Sequence, residues 1–245
     1  MNPRWILSLF GLFTAANLLA VAFGSTAGVW ATKPVLMPIL AAYLITVAWR
    51  DDLANLGRTT GRSLVPANPI VTWLFIGLAC AWVADIALIL DSEAAFLTGV
   101  AVFGLMQLCY LYVFARLGAW ARLRGRRLIV PGVLVVFWAT FNILLWDSFD
   151  SLAAPIAAYS FLLVSMAALA VGLSYRVATG AILFVVSDLM IGIRLTDVTL
   201  PGIGVAIMAT YAAAQLLIIT GILRARLSYE RGKHPHAKTP DPRYL

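Results

Sequence analysis

Apolar residues run along this chain in blocks too long and continuous for a soluble fold, separated by short polar stretches where Arg, Asp or Glu gather. Blocks near the roughly 20 residues that cross a bilayer as a helix fall at 5–23, 34–49, 70–90, 96–117, 128–146, 152–175, 179–193 and 202–223. They predict about eight transmembrane helices. Strands of an outer-membrane barrel would instead alternate apolar and polar positions in segments of about ten residues. The expected fold class is therefore all-α, a polytopic membrane helix bundle. The first block follows Arg4 and is longer than the apolar core of a signal peptide, so it reads as a retained helix. Residues 1–223 form one transmembrane domain, and 224–245, polar, basic and proline-containing, read as a disordered tail.

Composition agrees. Of 245 residues, 62% are hydrophobic and 12% charged, with a mean hydropathy of +0.92, which leaves too little polar surface to cover a soluble globule. Lys and Arg gather on the cytoplasmic side during insertion. Arg4, the stretch from Arg50 to Arg62, the stretch from Arg116 to Arg127, Arg176 and the tail then lie inside, which makes both termini cytoplasmic. Lys33 and Arg194 remain outside, and so do the acids Asp91, Glu93, Asp147 and Asp150. The net charge of +7 reflects this topology and attraction to anionic lipid, not a nucleic-acid partner. Cys80 and Cys109 fall within predicted helices and read as packing residues.

Two acids break the apolar blocks. Asp85 lies in Trp82-Val-Ala-Asp-Ile-Ala-Leu and Asp188 in Phe184-Val-Val-Ser-Asp-Leu-Met. A carboxylate in hydrocarbon costs roughly 2.5–3.5 kcal/mol on insertion scales, so such residues face a bundle interior or a watery cavity and mark function. Both helices run outward, so both acids are expected in the outer half, within reach of Lys33 at the start of the second helix and Arg194 just past the seventh. Gln107 with Tyr110, and Tyr211 with Gln215, have helical spacing and should each turn a polar face inward. Tyr159 and Ser187 add hydroxyls in neighbouring blocks. Asn17 and Asn142 read as helix-to-helix hydrogen-bonding groups.

The order of several segments on this pattern resembles the YhhN-like family of membrane proteins, whose characterised members are lysoplasmalogenases. The segments are Thr32-Lys-Pro-Val-Leu-Met-Pro-Ile-Leu40, Ala84-Asp-Ile-Ala-Leu-Ile-Leu90, Gly180-Ala-Ile-Leu-Phe-Val-Val-Ser-Asp188 and Tyr211-Ala-Ala-Ala-Gln-Leu-Leu-Ile218. Phe96-Leu-Thr-Gly-Val-Ala-Val-Phe103 and Tyr159 followed by Met166 add to it. The chain departs from the family at Ala84, where relatives usually have Gly, and at Gln107, where they often have His; Gln107 can hydrogen-bond but cannot transfer a proton.

The resemblance implies hydrolysis of the alkenyl ether of a lysophospholipid, without metal or other cofactor. Protonating the β-carbon of a vinyl ether creates an oxocarbenium ion, to which water adds, so the reaction needs a proton donor and a nearby negative charge. Asp85 and Asp188 would supply these as a pair. Lys33 would hold the ionised carboxylate or the lipid phosphate, with Gln107, Tyr110, Tyr159, Ser187, Arg194, Tyr211 and Gln215 binding substrate or supporting the site. Both histidines, His234 and His236, lie in the tail, where no intramembrane zinc cluster can form. A proton-coupled transporter or lipid-binding protein using the same acids is the alternative. Hydrolysis in detergent, without a gradient, separates the two.

Overall fold

The computed structural model describes residues 3–55, 68–90, 92–194 and 200–233. Arg58, Arg62, Asp91, His234 and His236 lie outside the described residues. The helices are α1 (Pro3–Ala22), α2 (Thr26–Asn55), α3 (Pro69–Ala87), α4 (Glu93–Arg116), a single turn α5 (Ala119–Arg122), α6 (Ile129–Leu145), α7 (Ala153–Ala170), α8 (Tyr175–Arg194) and α9 (Ile203–Lys233). Among the described residues, eight helices are long and apolar enough to cross a membrane. Local chemistry starts several of them. Asn68 accepts from the Ile70 amide with Pro69 at the first helical position of α3, and Ser92 accepts from Ala95 ahead of Glu93 in α4.

Seven of these helices close a ring. α1 packs on α2, α2 on α3, α3 on α4, α4 on α7, α7 on α8 and α8 on α9, and α9 returns to α1 and α2. α6 lies outside, laid on α7. Its side chains are the most uncovered of the bundle, Ile143 being 75% exposed, as expected of a face turned to lipid. Inside the ring, Leu36, Leu40, Leu74, Leu78, Tyr110 and Phe184 are buried. α8 and α9 approach closely because of small residues: a Cβ on Gly180 would stand 2.9 Å from Leu217 Cβ, and one on Gly221 2.7 Å from Val177 Cγ2.

Polar staples fasten neighbouring helices. Asn17 Nδ2 donates to Thr32 Oγ1 at 2.9 Å between α1 and α2. Asn142 Nδ2 reaches Ser160 Oγ at 3.3 Å between α6 and α7, where Trp138 also donates to Ser160. Both asparagines thus hold helices together.

Two boundaries differ from the sequence reading. α2 begins at Thr26, so Lys33 sits inside the helix and is buried instead of standing at its start. Lys33 with Pro34 and Pro38 weakens the apolar signal there, so hydropathy alone starts the block at Pro34. Pro38 has no N–H to offer the Pro34 carbonyl one turn back, and the Trp82 indole of α3 donates to that oxygen at 2.8 Å. The gap in the ladder is therefore filled from a neighbouring helix. Trp82→Phe, which keeps a ring but loses the donor, is expected to lower stability by about 1 kcal/mol, read as a fall in unfolding midpoint in detergent. At the other end of the chain, α9 continues past Leu223 to Lys233, into the stretch read as tail.

Candidate functional site

One end of the bundle gathers the ends of α1, α3 and α8 and the starts of α2, α4, α7 and α9. A cavity of about 850 Å³ opens there. Its wall carries Lys33, Arg194, Glu93 and Ser25 beside apolar Ile191 and Met208. A smaller pocket of about 60 Å³ contains Asp188 and Tyr159 among Val100, Phe103 and Ile156, with room for a reacting group or a water molecule. Leu88, Phe96 and Ile191 line both spaces, so the small pocket adjoins the large cavity.

Asp85 stands in the last turn of α3 and is 1% exposed. Its Oδ1 lies 3.5 Å from Lys33 Nζ, and its Oδ2 accepts from the Tyr211 hydroxyl at 2.7 Å. Three helices, α2, α3 and α9, thus meet at one carboxylate. Asp188 belongs to a different group: the Tyr159 hydroxyl of α7 donates to its Oδ2, and Gln107 of α4 lies next to Tyr159. The Gln107 carboxamide is fully buried and makes no well-directed hydrogen bond among the described residues. Among the described residues no hydrogen bond or ion pair joins the two carboxyls; each is held by its own tyrosine. The Phe103 ring connects the groups, lining the Asp188 pocket and meeting Tyr211 and Phe184 edge-on with centroids 5.8 and 6.0 Å away.

The remaining expected residues sort plainly. Tyr110 and Gln215 are both buried and hydrogen-bonded at 2.8 Å, with Gln215 also donating to the Met106 sulfur at 3.2 Å. Ser187 donates to the Ile207 carbonyl at 3.1 Å and tethers α8 to α9. Arg194 lies on the cavity wall, and among the described residues no ion pair joins it to either acid. Sequence reasoning missed Phe103, Leu88 and Ile191, which shape the pocket; ordinary apolar residues in apolar helices carry no signal of that role. Glu93 was legible only as an outer acid, although the Ser92 cap places it on the cavity wall. Among the described residues no group of three or more His, Cys, Asp and Glu side chains could hold a metal ion.

The arrangement puts cations at a wide mouth, an apolar slot beyond it, and a carboxyl with a tyrosine in that slot. The YhhN family profile matches residues 28–222. The chain is similar to lysoplasmalogenase TMEM86B of Rattus norvegicus, with 33% identity over 159 residues, covering 63% of each chain. It is also similar to TMEM86B of Homo sapiens, with 30% identity over 152 residues, 60% of this chain and 62% of that one. Lysoplasmalogenase TMEM86A of Bos taurus is 28% identical over 194 residues, 73% of this chain and 76% of that one. The match thus spans a little under two thirds of the length of both TMEM86B relatives. No solved structure matches the chain.

Proposed function

The chain belongs to the YhhN family, and from that premise we propose that it is a lysoplasmalogenase-type hydrolase, cleaving the sn-1 vinyl ether of a lysophospholipid to a fatty aldehyde and a glycerophospho-headgroup. The observation that carries the reading is the pairing of spaces. A cation-bearing cavity wide enough for a headgroup adjoins a small apolar pocket that presents Asp188 and Tyr159. Lys33 and Arg194 hold the phosphate at the mouth. The alkenyl carbons enter the apolar slot, where a carboxyl O–H adds its proton to the β-carbon using the π electron pair. Positive charge then resides on the ether oxygen and α-carbon, within reach of fixed negative charge. Water adds to the α-carbon and returns a proton to the carboxylate; the hemiacetal collapses by breaking the bond to the glycerol oxygen, which leaves as an alcohol.

In this reading the mouth faces outward and both termini are cytoplasmic, which the gathering of Lys and Arg in the opposite connections supports. The experiment is fatty-aldehyde release from a 1-alkenyl lysophospholipid by purified protein in detergent, with an ester-linked lysophospholipid as control. Aldehyde release by wild type, with loss in Asp188→Asn, is the expected result. Folded protein that leaves the vinyl ether intact would refute the hydrolase and favour a transporter or lipid-binding role.

A further inference from the structure

We infer that the two aspartates within the spans divide the work: Asp188 is the carboxyl that meets the lipid, and Asp85 is a positioning residue that acts through Lys33 and Tyr211. The inference rests on the hydrolase reading for its chemistry and on geometry for the assignment. Asp188 and Tyr159 line the pocket that adjoins the main cavity. Asp85 lines neither space. One of its oxygens faces Lys33 Nζ at 3.5 Å, the other takes the Tyr211 hydroxyl at 2.7 Å, and the residue is 1% exposed. A lipid atom could touch Asp85 only by displacing one of those partners. Tyr211 itself is packed against Phe103 and Phe184, with ring centroids 5.8 and 5.6 Å away.

The partners suit different tasks. Both oxygens of Asp85 are engaged, one by the Lys33 ammonium and the other by the Tyr211 hydroxyl. Asp85 therefore anchors the Lys33 ammonium where it lines the cavity and fixes the hydroxyl of Tyr211, whose ring supports the Phe103 wall of the reacting pocket. Asp188 has a tyrosine and hydrocarbon around it and, among the described residues, no ion pair. It gives its proton to the β-carbon and recovers one from the attacking water, so it ends the cycle as it began.

The first test reads access without turnover. A hydrophobic carbodiimide takes up a protonated carboxyl and ends as a stable N-acylurea. Treatment of the purified full chain is expected to modify the peptide containing Asp188, and not the one containing Asp85. The adduct should vanish in Asp188→Asn and fall with a saturating 1-alkyl lysophospholipid, which has no vinyl group to protonate. Equal labelling of Asp85, or none at Asp188, overturns the assignment, whether or not wild type hydrolyses a vinyl ether. A wild type that releases no aldehyde removes the hydrolase reading instead, and the labelling pattern still decides which carboxyl the pocket presents.

The second test reads the kinetic split. Asp188→Asn is expected to lower kcat by about a thousandfold while the Kd of the 1-alkyl lysophospholipid stays within about threefold. Asp85→Asn is expected to raise KM and lower kcat by only about tenfold, Lys33→Gln to do the same, and the double variant to be no worse than either. A loss of kcat in Asp85→Asn as complete as in Asp188→Asn, with KM unchanged, overturns the division. Should Asp85→Asn alone fail to fold, the double variant, which removes both charges, supplies the comparison.

Discussion

Lys33→Met is expected to cost about 3 kcal/mol of stability, and adding Asp85→Asn to it is expected to recover most of that loss. The reason is the asymmetry of buried charge. With the ammonium gone, Asp85 is left at 1% exposure with Tyr211 as its remaining partner. A single hydroxyl does not replace the solvation a carboxylate loses inside a bundle. The figure sits at the low end of the roughly 3–5 kcal/mol seen when buried pairs are broken, because Lys33 Nζ stands 3.5 Å away and the side chain also borders the cavity. Replacing both partners removes the uncompensated charge as well as the attraction. Unfolding midpoints of the two single variants and the double variant in one detergent measure this directly. If the double variant is destabilised by the sum of the singles, Lys33 and Asp85 do not depend on each other and the pairing is not in force.

The sequence disclosed the bundle well and the site only in part, and the difference has a physical source. Continuous apolar blocks are demanded by the bilayer, so helix number could be read from hydropathy alone, as could the inward turn of Tyr110, Gln107, Tyr211 and Gln215, all of which are buried. Asp85 and Asp188 stood out because each is costly where it is. Lys33 could be placed near them from its position alone, but the tyrosine that meets each acid could not. The expected joint carboxyl pair takes the form of two tyrosine–aspartate units joined through Phe103. Which tyrosine meets which acid depends on how seven helices close into a ring, with α6 left outside. Nor could a one-residue hydropathy scale show that Lys33 lies within α2. That depends on Trp82 reaching across from α3 to satisfy Pro34, a contact 48 positions away in the chain.

Gly172→Ala is expected to be the most damaging glycine-to-alanine change among the described residues, at about 2–3 kcal/mol. Gly172 lies in the turn after α7. A Cβ there would stand 2.2 Å from the Ala119 carbonyl oxygen, 2.9 Å from its carbon and 3.1 Å from its Cα. All three atoms are backbone, so no rotamer change can make room. Elsewhere the conflict is softer: at Gly99 the nearest atoms belong to the Leu88 side chain, which can rotate. The turn that holds Ala119 is itself fixed, since Gly118 before it takes φ of 78°, a conformation other residues resist. The two turns must therefore part, and α4 must separate from α7 at the end of the bundle away from the cavity. Gly132→Ala on α6 is the control: nothing lies within 4 Å of its added methyl, and alanine is the better helix former by about 0.5–1 kcal/mol. Unfolding midpoints should fall for Gly172→Ala and hold or rise for Gly132→Ala, while the activity of the molecules that do fold is unchanged in both. Equal midpoints for the two variants would mean that the turns are not in backbone contact and that α4 and α7 are held apart by other means.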